Sequence, residues 1–359
     1  MRYRFWSRIK PNAPLLGAFF CVTIIRSVAK ALLNLRGTLE MIQWKDISTK
    51  TVVAGVEFPS YIMNACGVRD TTLEELQTIG TSASAGIVMK SCTILPKEGN
   101  PLPRMAHLER GILQSMGLPN LGYKEYLKFI PELKKYGKPI IASVAGKDPK
   151  EFKRLVEPFM ETDVDIIGLN PSCPNLDGRM ICYDIREFQI MLLGLSDLIK
   201  ISKKPIKIKL PPYNDPWQQK FVSEILVQYS IRCITLVNGV GRCLVIDTET
   251  EAPVIKATHG YGALAGEMIK YQALGNVRAF YDHLQGKNIS IIGVGGIRTG
   301  EDAFQFLLAG ADAVQVGSTF EKQGPKCFAR IDRELRKIMA EHGYPTIESA
   351  KGKMKQYGE

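Results

Sequence analysis

The stretches Ser290-Ile291-Ile292-Gly293-Val294-Gly295-Gly296 and Ala313-Val314-Gln315-Val316-Gly317-Ser318 decide the fold. Each is a short β-branched run that ends in glycine, and between them Glu301–Leu308 carries helical spacing. Strand, turn, helix and a second strand make a parallel unit. Working outward, six earlier apolar runs have the same character: Tyr61–Ala65, Ala85–Lys90, Pro139–Val144, Asp165–Leu169, Ile206–Leu210 and Cys233–Val237. Helical patterns separate most of them, including Pro149–Met160 with Asp148 as its cap, Trp217–Tyr229 and Tyr271–His283. Eight such runs joined by right-handed crossovers predict α/β architecture closed into a (β/α)8 TIM barrel. An open doubly wound sheet is the alternative that the same pattern allows.

A barrel gathers its chemistry at the carboxyl ends of the strands, and the polar residues of this chain fall there. The runs end, in order, at Asn64-Ala65-Cys66-Gly67, Lys90-Ser91, Asn170-Pro171-Ser172-Cys173-Pro174-Asn175, Lys209-Leu210-Pro211-Pro212-Tyr213, Asn238-Gly239, Gly293-Val294-Gly295-Gly296 and Gly317-Ser318. Glycine turns closing the last two strands are where such a barrel offers backbone N–H groups to a phosphate. Lys90 and Lys209 each close an apolar run, where an unpaired ammonium is costly, so an anionic partner is implied. FMN fits: its phosphate suits the glycine turns, and a lysine near N1 offsets the charge of the reduced ring. No Walker-type loop or Gly-x-Gly-x-x-Gly follows an early strand. A thiol among hydrogen-bond donors at Cys173 reads as a proton-transfer site; the plainer alternative is a buried structural cysteine in a proline-stiffened turn.

From about Thr51 to Lys353 the chain resembles the soluble class 1 dihydroorotate dehydrogenases, most closely the single-subunit branch that uses fumarate. The segments that carry the resemblance are Met63–Val68, Lys90-Ser91, Gly99–Arg104, Ser115–Asn120, the cysteine hexapeptide, Lys209–Tyr213, Asn276–Tyr281 and Gly295–Ile297. The membrane-bound class 2 relatives use serine where this chain has Cys173. The resemblance implies that Cys173 is the general base at C5 of dihydroorotate while a hydride leaves C6 for flavin N5. It implies catalytic roles for Lys90 and Lys209 as well. Substrate contacts are implied for Lys90, Gln114, Met116, Gly117, Leu118, Asn170, Asn175, Asn238 and Gly239. Flavin contacts are implied for Cys66, Lys90, Ser91, Asn170, Lys209, Val237, Gly266, Gly295, Gly296, Gly317 and Ser318. It further implies fumarate as oxidant, a homodimer, a cytoplasmic location, and a lid within Pro96–Pro119 whose hinge is the Gly-Asn-Pro-Leu-Pro stretch. Three positions depart from the family: Gln114 stands where asparagine is usual, Gly239 where serine is, and Cys66 where serine is.

The composition agrees. At 359 residues and 45% hydrophobic the chain can bury one large core. Its 8 cysteines show no Cys-x-x-Cys pair, and its 4 histidines do not cluster, so the sequence assigns no metal. Residues 1–40 hold seven basic groups against one acidic group, leaving only +5 of the net +11 to the remainder, a weak footprint for nucleic acid. The sequence therefore divides into a basic, apolar extension over 1–40 and a catalytic domain over 41–359. Within the extension, Ala13–Ile25 is too short to cross a bilayer and reads as a presequence, a signal-peptide core, an interfacial anchor, or a segment ahead of a true start at Met41. Three other functions fit parts of the pattern. A reductase of another dihydropyrimidine would keep the flavin. A tRNA dihydrouridine synthase would need a larger basic surface and an extension after the barrel, and a non-catalytic interaction barrel would not need the polar strand ends.

Overall fold

Branched side chains restrict the backbone to extended conformations, and each of the eight apolar runs is a strand in the computed structural model, which describes residues 42–172 and 180–358. The strands are β1 (Ile62–Asn64), β2 (Ile87–Cys92), β3 (Ile140–Val144), β4 (Ile166–Leu169), β5 (Ile206–Leu210), β6 (Cys233–Leu236), β7 (Ser290–Val294) and β8 (Ala313–Val316). Helices α1 (Leu73–Thr81), α2 (Tyr123–Lys134), α3 (Pro149–Met160), α4 (Ile185–Ile201), α5 (Pro216–Gln228), α6 (Lys270–Leu284), α7 (Gly300–Ala309) and α8 (Lys326–Glu341) follow them in turn. Asp148 caps α3 as expected, accepting the Glu151 amide at 2.8 Å with Pro149 at the first helical position. Cys173, Asn175 and the whole 1–40 extension lie outside the described residues.

The hydrogen-bonded order is β1-β8-β7-β6-β5-β4-β3-β2, parallel throughout. A doubly wound sheet would reverse its order at a switch point; this one never does, and its two ends come round to meet. No backbone ladder joins β1 to β2 among the described residues. The Asn64 side chain takes its place, accepting the Val88 amide at 2.9 Å and donating to the Val88 carbonyl at 2.8 Å.

Met63, Val88, Ile141, Ile166, Cys233, Ile292 and Ala313 fill the interior near the amino ends of the strands, joined by Val53 and Phe58 of a short hairpin. Every barrel strand except β5 contributes to that cluster. β5 contributes Lys207 instead, which is only 3% exposed. Gly168 makes room for it, because a Cβ there would stand 2.8 Å from Lys207 Cε.

Over the carboxyl ends lies an antiparallel sheet that the sequence pattern did not announce, with the strand order Val240–Cys243, Gly262–Gly266, Gly111–Gln114, Met105–Leu108. Two of these strands fall within Pro96–Pro119, and the stretch read as a hinge is held at many points. The Asn100 amide donates to Met116 O at 2.9 Å, its side chain donates to Ser115 O at 3.0 Å, and Lys97 and Asn120 exchange two bonds of 2.9 Å. These bonds hold the segment against the roof of the site in the conformation described.

Candidate active site

A cavity of about 330 Å3 opens at the carboxyl ends of the strands, beneath the antiparallel sheet. Strand direction explains its polarity: the last inward residues of the strands point into it, while the apolar inward residues below form the barrel floor. Lys90 and Ser91 come from β2, Lys209 from β5, and Asn170, Val237, Asn238 and Gly239 from the turns after β4 and β6. Gln114, Met116, Leu118 and Gly266 descend from the roof; Cys66, Gly295, Gly296, Gly317 and Ser318 complete the wall. Gly117, expected as a substrate contact, does not line the cavity. A Cβ on it would fall 2.4 Å from Asn100 Oδ1, so its φ of 73° serves the turn against Asn100.

Buried amides and hydroxyls must find partners, and here they find one another. Ser91 Oγ accepts from Asn170 Nδ2 at 3.0 Å and stands 2.8 Å from Ser143 Oγ and 3.3 Å from Cys66 Sγ. Asn238 Nδ2 donates to Ser172 Oγ at 3.0 Å, while the Gly239 amide donates to Asn238 Oδ1 at 3.1 Å. Ser172 Oγ lies 2.8 Å from Lys209 O and 3.2 Å from Asn170 Oδ1, so one hydroxyl ties the tips of β4, β5 and β6 together. At position 114 the longer amide folds back, its Oε1 accepting the Met116 amide at 3.1 Å.

The two lysines differ. The Lys209 ammonium has no hydrogen-bond or ion-pair partner among the described residues. Lys90 does have a protein anion: Asp70 Oδ1 stands 4.0 Å from its ammonium, and both side chains are buried. Burial pushes the Asp70 carboxyl above its ordinary value, against the pull of Lys90 and of the Gly67 amide. Beneath Lys209, burial pushes the Lys207 amine down; the Cys233 thiol works against that shift and Lys209 adds to it.

Asp70, Ser172 and Lys207 are the residues the sequence reading gave no role. Ser172 stood inside the quoted hexapeptide, where its hydroxyl was visible and its partners were not. Asp70 looks like any acidic residue before a helix, and Lys207 like part of an amphipathic strand; only barrel closure brings them to the site.

The cavity also suits a group with a phosphate. The N–H groups of Gly296, Gly317 and Ser318 have no acceptor among the described residues, while the β7–β8 register turns that of Gly295 toward Gln315 O. A Cβ on Gly296 would lie 2.7 Å from Lys270 Cβ and 3.0 Å from Gly266 O, so this corner tolerates only bare backbone.

Phosphate-ready glycine turns on the last two strands, and a lysine-and-amide mouth beside them, define a (β/α)8-barrel enzyme. Residues 48–339 match the profile of the family described as dihydroorotate dehydrogenase. A "putative dihydroorotate dehydrogenase A (fumarate)" of Streptococcus agalactiae is 41% identical over 312 residues, covering 86% of this chain and 99% of the relative. "Dihydroorotate dehydrogenase A (fumarate)" of Lactococcus lactis subsp. lactis is 41% identical over 311 residues, covering 85% and 99%. The chain belongs to the dihydroorotate dehydrogenase family. Among solved structures, ligand-free DHODH from Eimeria tenella superposes with a TM-score of 0.74 at 18% identity, covering 88% of this chain and 93% of that one, which speaks for the fold. Among the described residues no helix is long and apolar enough to cross a membrane.

Proposed function

We propose that this protein oxidises dihydroorotate to orotate in pyrimidine biosynthesis, with FMN as cofactor and fumarate as oxidant. The observation that carries the reading is the convergence of Lys90, Lys209, Asn170 and Asn238 with the free amides of the glycine turns on one cavity. FMN, when bound, supplies the two-electron acceptor for the hydride that leaves C6. Gly296, Gly317 and Ser318 would hold its phosphate, and Lys209 would offset charge on its ring.

Asn170 and Asn238, fixed by Ser172 and Gly239, present amide edges to the substrate's ring, and Lys90 attracts its carboxylate. Cys173 takes the proton from C5; an ordinary thiol pKa of about 8.5 is near enough to neutrality for that task. Fumarate then enters the same site, giving ping-pong turnover. The names of the relatives support the substrate and the acceptor. We propose further that the protein is a cytoplasmic homodimer and that 1–40 is an extension separate from the catalytic domain.

Anaerobic mixing tests the assignment. The yellow protein is expected to bleach on adding dihydroorotate and to recover its colour with fumarate. Bleaching by a different dihydropyrimidine alone would replace the substrate. Cys173→Ala is expected to retain flavin and to slow the reductive half-reaction more than about 10²-fold, the lower range for a positioned base. Reduction at the parent's rate would remove Cys173 from the chemistry.

A further inference from the structure

We propose that Asp70 is a positioning residue that holds Lys90 from behind and limits how much of its positive charge an anion in the cavity feels. Asp70 sits in the turn between β1 and α1, and it is 0% exposed. Its Oδ2 accepts the Gly67 amide at 2.7 Å. Its Oδ1 has no hydrogen-bond partner among the described residues and faces the Lys90 ammonium at 4.0 Å. The backbone follows the same path, since the Lys90 amide donates to Asp70 O at 3.3 Å and a Cβ on Gly67 would stand 3.9 Å from Lys90 Nζ. The turn 67–70 therefore wraps around the ammonium, with Gly67, Val68 and Arg69 on the cavity wall and the Asp70 carboxylate buried behind it.

A carboxylate buried with one oxygen unsatisfied is costly, and the neighbouring elements show what it works against. Lys90 on β2 and Lys209 on β5 favour its charge, while Glu75 on α1 opposes it and Tyr126 on α2 lies within electrostatic reach. At 4.0 Å the Lys90 contact is an ion pair without a hydrogen bond, so the three ammonium donors stay available to the cavity. The arrangement leaves Lys90 oriented but partly neutralised: an anion in front competes with a fixed anion behind.

This inference rests on the reading of Lys90 as a contact of flavin and substrate, and the test separates the two. In the flavin-loaded Asp70→Asn protein, orotate titrated against the flavin absorbance is expected to bind about tenfold more tightly, the order of effect of one charge at roughly 10 Å in an effective dielectric near 20. The midpoint potential of the bound flavin is expected to rise by about 30 mV, the two-electron equivalent of tenfold. Asp70→Glu should return both toward the parent. Should the Asn variant fail to retain flavin, Asp70→Ser removes the same charge with less bulk. Unchanged or weaker orotate binding with an unchanged potential would overturn the inference, leaving Asp70 a filler of the turn. A parent protein that binds no orotate would count against the functional reading instead, and the potential shift would still judge Asp70.

Discussion

Ser172 links the tips of three strands through one hydroxyl. Its one proton has two acceptors in reach, Lys209 O at 2.8 Å and Asn170 Oδ1 at 3.2 Å. Its oxygen accepts the Asn238 amide at 3.0 Å, so it orients Asn238 directly and helps to hold Asn170, whose Nδ2 donates to Ser91. Either amide, flipped, would present an acceptor where a substrate carbonyl needs a donor, or a donor where a substrate N–H needs an acceptor. Ser172→Ala is expected to lower kcat/KM for dihydroorotate about 10- to 100-fold, the range for a lost hydrogen bond to a charged ligand of about 1.5–3 kcal/mol. Flavin content should stay unchanged, because the glycine turns lie elsewhere in the cavity; stopped-flow reduction with a flavin count checks both. At this scale the chain was readable where a residue type announces its chemistry. Lys90, Lys209, Asn170, Asn238 and the glycine turns all line the cavity. It was not readable where the role belongs to a relation, as with Asp70 and Lys90, whose pairing exists only because β1 and β2 close the barrel. Gly239 shows the same limit: a Cβ there would meet Ala263 Cβ at 3.0 Å and Leu264 O at 3.1 Å, a crowding set by the roof strand.

The eight strands and the four helices that were given bounds in the sequence fall within a residue or two of their observed ends, whereas α1, α2, α4 and α8 were not placed. β5 and α3 keep the bounds read from sequence. β2 differs, continuing to Cys92 and placing Lys90 within the strand, because pairing with β3 extends to Val144. The antiparallel roof escaped notice because its strands are only four or five residues long, too short for a hydrophobic period to stand out in the sequence. The seam escaped for a different reason: a side chain stands in for a ladder there. Asn64 satisfies the N–H and C=O of Val88 in a dry interior. Asn64→Ala orphans both groups, each costing about 1–3 kcal/mol. A loss of about 2–5 kcal/mol is therefore expected in urea unfolding of the flavin-loaded protein, with flavin released at lower denaturant than in the parent. A midpoint equal to the parent's would mean that the other seam contacts, such as the Ala85 amide on Ile62 O at 2.8 Å, suffice without the Asn64 side chain.

For the whole molecule, the decisive property is that every element of the site belongs to one continuous stretch. The family match runs over 48–339, all eight barrel strands lie within Gln43–Glu359, and the last of them supplies Gly317 and Ser318. Charge divides differently from chemistry. Residues 1–40 carry seven of the basic groups against a single acid, so a tenth of the length holds more than half of the net +11. A basic, partly apolar segment of that kind acts on surfaces, through attraction that salt screens over about 10 Å. The residues that line the described cavity all fall between Ala65 and Glu321. Deleting 1–40 is thus expected to leave flavin content, orotate affinity and dihydroorotate-driven bleaching at parental values. It should also abolish any salt-sensitive retention of the protein on vesicles rich in anionic lipid, followed by flotation at low and high salt. Loss of flavin on deletion would show that the extension belongs to the catalytic fold. Equal vesicle retention with and without it would move the membrane-facing charge onto the barrel, where the remaining +5 is too dispersed to account for it.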